Sequence, residues 1–137
     1  MPLIVTPGQL RLRSELYHQL GITTAAGLTI PKALENLEKN PPARSMRPML
    51  AQWHENLLAG APVVEALKRS GQSTPSFDLA LLEAGEQSGR LDQCFKLLAS
   101  YYQERAQMVR QVISDMLYPL FIFHFQPTKI IKEVFNE

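Results

Sequence analysis

Cysteine is almost missing from this 137-residue chain, where Cys94 stands alone. One cysteine makes no internal disulfide, so a disulfide-stapled scaffold is excluded and a reducing compartment fits. A charge excess is missing too. The formal net charge is +1, which gives no global pull toward nucleic acid or toward acidic partners. The N-terminus lacks a basic start followed by a long apolar core, so a signal peptide is not expected. Long hydrophobic runs are scarce. The strongest, MLYPLFIFHF at residues 116–125, is cut by Gln126-Pro127. A bilayer-spanning helix needs about 20 apolar residues, so this run is no complete transmembrane helix. It reads as a buried element or as the stump of a membrane helix.

Catalytic and nucleotide-binding patterns are also missing. None of His18, His54 and His124 has a second His or Cys three or four residues on, as a helical zinc site would need. There is no phosphate-cradling G-x-x-x-x-G-K-[ST] and no G-x-S-x-G nucleophile elbow. Cys94 falls on an apolar helical face beside Phe95 and reads as a packing residue. Arg44, Arg47, Lys68, Arg69, Arg105 and Arg110 are scattered over several helices without interleaved aromatics, which suits solvated faces better than a nucleic-acid groove.

What is present is helical periodicity. With 45% apolar and 20% charged residues, the chain has globular composition and is long enough for one core. Strand signals are weak, and apolar residues recur at three- and four-residue spacing. Leu12, Leu16, Leu20 and Thr23 form a first stripe that ends at Gly27. Thr29 caps a short second helix containing Pro31, Ala33, Leu34 and Leu37. Met46, Leu50, Trp53 and Leu57 make a third helix, and residues 62–70 a fourth. A fifth starts with Ser76 as cap and Phe77, Leu81 and Leu82 inward. A long sixth carries Leu91, Phe95, Leu98, Tyr102, Val109, Ile113, Met116 and Leu120, with Pro119 expected to end or kink it. The expected fold is all-α, a compact antiparallel bundle of about six helices. Its core should hold Leu16, Leu34, Leu50, Trp53, Leu67, Leu82, Phe95 and Leu98. A repeat spaced by 33 residues sets Gly27…Ala33-Leu34 over Gly60…Ala66-Leu67, as expected of a repeated helical hairpin.

Between the fifth and sixth helices lies Gly85-Glu86-Gln87-Ser88-Gly89-Arg90-Leu91. Two readings of its carboxylates compete. Glu83, Glu86 and Asp92 could gather around a hard cation, calcium or magnesium, through oxygen ligands. Alternatively Glu83 is solvated, Glu86 accepts backbone N–H bonds at the turn where the sixth helix begins, and Asp92 favours that helix start electrostatically. The second reading is preferred, with no cofactor required.

This segment, preceded by Leu81-Leu82 and followed by a long helix reaching Tyr118-Pro119, resembles the type II secretion system protein F family. That family includes the inner-membrane platform proteins of type IV pilus assembly, and its pattern is G-E-x-S-G-x-L followed by Y-P at the entry to a membrane helix. Residues 20–34, LGITTAAGLTIPKAL, and residues 58–67, LAGAPVVEAL, are similar to the family's two earlier blocks. The resemblance covers about residues 14–123 and makes Gly85, Glu86, Ser88, Gly89, Leu91, Tyr118 and Pro119 the motif residues. It implies residues 1–125 as a helical cytoplasmic domain ending at the start of a truncated membrane helix, with 126–137 an atypical tail. It also implies a non-enzymatic scaffold at the cytoplasmic face of the bacterial inner membrane. Such a scaffold would couple a secretion or pilus-assembly ATPase to pilin-like subunits, alongside other inner-membrane assembly proteins, as a homo-oligomer. In that light Gly85 and Gly89 permit a tight helix-helix corner that Glu86 ties down. The competing reading is a free soluble helical adaptor that binds protein partners.

Overall fold

The computed structural model describes residues 7–71 and 73–135, with side chains from 8 to 117 apart from residue 72. Within these residues six α-helices follow one another: α1 (Pro7–Ala25), α2 (Ile30–Lys39), α3 (Arg47–Leu58), α4 (Val63–Lys68), α5 (Ser76–Ser88) and α6 (Leu91–Phe135). A 3-10 turn, Arg44–Met46, leads into α3. There is no strand among the described residues, so the chain is an all-α bundle. The most extensive packing joins α1 to α6, with α2 on α3 and α5 on α6 next.

The repeat seen in the sequence is a repeat in space. At the end of α1 the Gly27 N–H donates to Thr24 O and the Leu28 N–H to Thr23 O; at the end of α3 the Gly60 N–H donates to Leu57 O and the Ala61 N–H to Asn56 O. Both are Schellman closures, which need a left-handed residue, and φ is +94° at Gly27 and +99° at Gly60. Ala33-Leu34 and Ala66-Leu67 then follow at the same register, all buried. The two copies differ at one decisive place. Thr29 caps α2, its hydroxyl accepting from Lys32 N at 3.4 Å. The matching position before α4 is Pro62, which makes no side-chain cap bond.

All eight expected core residues are buried, and Trp53, Leu34, Leu50, Leu82, Phe95 and Leu98 are fully enclosed. Trp53 also donates its indole N–H to Val63 O at 3.1 Å, which ties α3 to the start of α4. Three expectations need correction. Phe77 is 52% exposed and lies against the Tyr101 ring with centroids 4.9 Å apart. The inward row of α5 is instead Asp78, Leu82 and Gly85, four and three residues apart, because Asp78 finds polar partners inside. Ser76 is not the cap of α5; Pro75 takes that place without a side-chain bond. Finally, α6 does not end at Pro119 but runs on to Phe135. The proline removes one backbone donor, and the bonds of the flanking turns suffice to continue the helix.

The apolar stripe of α6 outlasts the body it packs on. Phe95, Leu98, Tyr102 and Ala106 are buried and Val109 half-buried, whereas Met108, Val112, Ile113, Met116 and Leu117 are exposed. The side chain of Leu120 lies outside the described residues. Leu82→Ala is expected to lower the unfolding free energy by about 2–5 kcal/mol, measured by urea titration. A midpoint that stays in place would remove Leu82 from the core.

Candidate functional site

Each residue of the glycine-bracketed motif has a distinct task. Helix α5 runs straight through Gly85 and ends only at Ser88, so Gly85 is not a turn residue. Its role is close approach. A Cβ built there would sit 2.5 Å from the Cys94 sulfur and 3.3 Å from Arg90 O. The missing side chain is therefore what lets α6 fold back against α5. Gly89 alone makes the turn, in the left-handed region with φ +74°, where glycine is free of the penalty a Cβ would bring. The Arg90 N–H donates to Gly85 O at 2.8 Å, and the Ser88 hydroxyl donates to Ala84 O at 2.8 Å. Leu91 packs half-buried against the core.

Glu86 does not serve the start of α6. Its carboxylate reaches across to α4 and accepts the Val63 N–H at 2.5 Å and the Val64 N–H at 3.3 Å. These are free amides of a helix start, at the very helix whose own cap position is Pro62. The negative charge also suits the positive end of the α4 dipole. Glu86 is thus the cap that the second hairpin copy lacks, supplied from 22 and 23 residues away. Sequence reading expected backbone amides as the partners and took the wrong helix, because local adjacency pointed to α6.

The three carboxylates of the cation reading lie apart in the fold. Among the described residues, no three His, Cys, Asp or Glu side chains are grouped to hold a metal. Glu83 is exposed and Asp92 sits half-buried in the first turn of α6, while Glu86 is committed to α4. Tyr118 and Pro119 lie on the α6 backbone, and their side chains lie outside the described residues. Cys94 is buried; burial, then the Asp92 charge, pushes its thiol pKa up, which keeps it a packing thiol.

A second carboxylate on α5 escaped the sequence reading. Asp78 is fully buried. Its Oδ2 accepts from Tyr17 Oη at 2.7 Å and from the Arg13 guanidinium at 3.3 Å, and its Oδ1 accepts from Tyr102 Oη at 2.6 Å. One carboxylate thereby joins α1, α5 and α6. The Arg13 guanidinium also lies over the Tyr102 ring, 5.9 Å from its centroid. No buried side-chain N or O among the described residues lacks a partner, so the cluster is closed and offers no free group for chemistry. The available signal was an Asp placed three residues after Pro75, one helical turn before Leu82 on its own face.

The sequence that builds this arrangement matches a known family. Residues 16–125 match the family model described as Type II secretion system (T2SS), protein F, and the chain belongs to that family. It is 33% identical over 107 residues to the type IV pilus assembly protein PilC of Thermus thermophilus, covering 78% of this chain and 26% of that protein. It is 29% identical over 109 residues to the protein transport protein HofC homolog of Escherichia coli (strain K12), covering 80% of this chain and 27% of that protein. The type II secretion system protein F of Aeromonas hydrophila is 26% identical over 102 residues, 74% of this chain and 26% of that protein. The chain spans about a quarter of the length of the curated relatives it matches. No described helix is long and apolar enough to cross a membrane.

Three outcomes follow from these contacts. Glu86→Ala is expected to lower the melting temperature by the same amount with and without added calcium; a calcium-dependent rise that vanishes in Glu86→Ala would establish the cation reading instead. Asp78→Ala leaves Arg13 and two phenols stranded and should cost about 3–5 kcal/mol, read from urea unfolding; a loss near zero contradicts a closed cluster. The phenols add a pH dependence. Burial first, and then Asp78, raises the pKa of Tyr17 and of Tyr102 above the ordinary value of about 10. Their contribution to stability is complete below about pH 10 and is lost as pH rises toward the folded values, because the unfolded phenols ionise first. Wild-type stability should fall above about pH 10, and the Tyr17→Phe/Tyr102→Phe double variant should fall less steeply. Parallel alkaline profiles would remove the phenols as the cause.

Proposed function

We propose that this chain is a non-enzymatic scaffold domain of an inner-membrane platform protein for type II secretion or type IV pilus assembly. It sits on the cytoplasmic face and couples a cytoplasmic ATPase to pilin-like subunits. The observation that carries this reading is the free apolar face of α6. Val112, Ile113, Met116 and Leu117 continue a buried stripe past the end of the body and remain exposed. A contiguous apolar face of this kind marks a contact with another protein surface. The closed Asp78 cluster and the Glu86 cap also support a mechanical part: both use their polar groups to hold helices in place and leave none for a substrate. The role calls for no cofactor.

The same face supports self-association, since an isolated domain can cover it with a second copy. Light scattering is expected to show a dimer or larger species that Ile113→Glu shifts toward monomer. A strict monomer at high concentration opposes the homo-oligomer. The scaffold reading itself is tested by titrating the purified chain with the secretion or pilus-assembly ATPase of the same bacterium in a calorimeter. Binding in the micromolar range is expected. No heat at about 100 µM of each protein would overturn the coupling role.

A further inference from the structure

The groove between α1 and α6 has a chemistry of its own. It encloses about 530 Å³. One wall is a single face of α1 carrying Arg11, Glu15, His18 and Ile22; the other is a row of α6 carrying Lys96, Ser100 and Gln103. This row is not the Phe95–Leu98–Tyr102 stripe that continues into the free apolar face. The floor is made of small residues. Ala99 is buried there, and Ser14 spends its hydroxyl on Ala99 O at 2.8 Å. The helices come this close because Gly21 lies against Lys96, where a Cβ would be 3.2 Å from Lys96 Cγ. A floor whose hydroxyl is already used invites van der Waals contact rather than a polar ligand, and its open, helix-lined shape suits another helix.

The rim decides the sign of the occupant. Arg11 and Lys96 are exposed, and neither takes part in an ion pair among the described residues. The acid on the rim, Glu15, accepts a hydrogen bond from Gln19 at 3.0 Å. Because α1 and α6 run antiparallel, Ser14 meets Ala99 and Gly21 meets Lys96. Arg11 and Lys96 therefore lie toward opposite ends of the groove, about two to three helical turns apart. Ile22 adds an exposed apolar contact at the Lys96 end.

We infer that this groove docks an acidic amphipathic helix of a partner protein. Small or aliphatic side chains of that helix rest on Ser14 and Ala99, and its carboxylates, two to three turns apart, meet Arg11 and Lys96. Two cations at opposite ends of the rim steer encounter and fix register. The inference shares with the scaffold reading only the premise that this domain docks other proteins. A peptide titration reads the groove without any ATPase, so either can fail alone.

The test is fluorescence anisotropy with a labelled synthetic helical peptide that carries an alanine-leucine stripe flanked by glutamates two turns apart. Binding should weaken about tenfold or more in Arg11→Glu/Lys96→Glu, and as much when the peptide glutamates are replaced by glutamine. Ser100→Trp, which fills the groove without changing charge, should also weaken it. Lys39→Glu/Lys68→Glu, with exposed cations outside the groove, should leave binding within about twofold. Circular dichroism confirms that each variant is folded. The proposal is overturned by no binding, by equal binding of the glutamine peptide, by undiminished binding to the Ser100→Trp variant, or by equal losses in the two charge-reversal pairs.

Discussion

The architecture hangs on the carboxylate of Asp78. It is the carboxylate enclosed at the point where α1, α5 and α6 meet, and it has a donor from each of the other two helices: Tyr17 and the buried Arg13 from α1, Tyr102 from α6. A buried charge is tolerated only when paired and hydrogen-bonded. The three helices must therefore meet in the register that brings all three donors to it. Apolar packing alone would allow α6 to slide on α1 by a turn; a directional cluster with three donors does not. The aromatic rings add to this, with Tyr17 near-parallel to both Phe95 and Tyr102 at about 6 Å between centroids.

A second carboxylate, eight residues further along α5, handles the other half of the body. Glu86 takes the amides of Val63 and Val64, Trp53 holds Val63 O, and Asn56 donates to Ala66 O at 3.0 Å. The six-residue helix α4 is too short to be stable alone, so it depends on these neighbours. Helix α5 thus works as a tie between two sub-bundles, Asp78 fixing it to α1 and α6 and Glu86 fixing it to α4. The motif Gly85–Leu91 makes mechanical sense in this frame. Gly85 sets how closely α6 approaches, Gly89 sets where the chain reverses, and Glu86 locks the previous hairpin to the reversal.

Much of this was legible in the residues. The helix count, the eight core positions and the hairpin repeat follow from three- and four-residue apolar spacing and from glycines at helix ends, which are local signals. The partner of Glu86 was not legible. Its capping role is expressed by an absence elsewhere, Pro62 standing where Thr29 stands in the first copy, and only the fold brings the two together. Asp78 was hidden for the same reason. An apolar-face reading prefers Phe77, and nothing local reveals that Tyr17 and Tyr102 converge on the neighbouring position. Pro119 misled because one proline is a local penalty, whereas α6 is continuous over 45 residues. The family resemblance supplied what periodicity could not, namely that the corner is a motif; the structure supplied what each motif residue does.

The central claim is that the motif glutamate is a long-range helix cap that locks α4 to α5. Amide hydrogen exchange at Val63 and Val64 tests it most directly, comparing wild type with Glu86→Gln under native conditions. The account predicts that these two amides lose protection in the variant well beyond the change at amides in the middle of α1 and α6. Unchanged protection at Val63 and Val64 would contradict it.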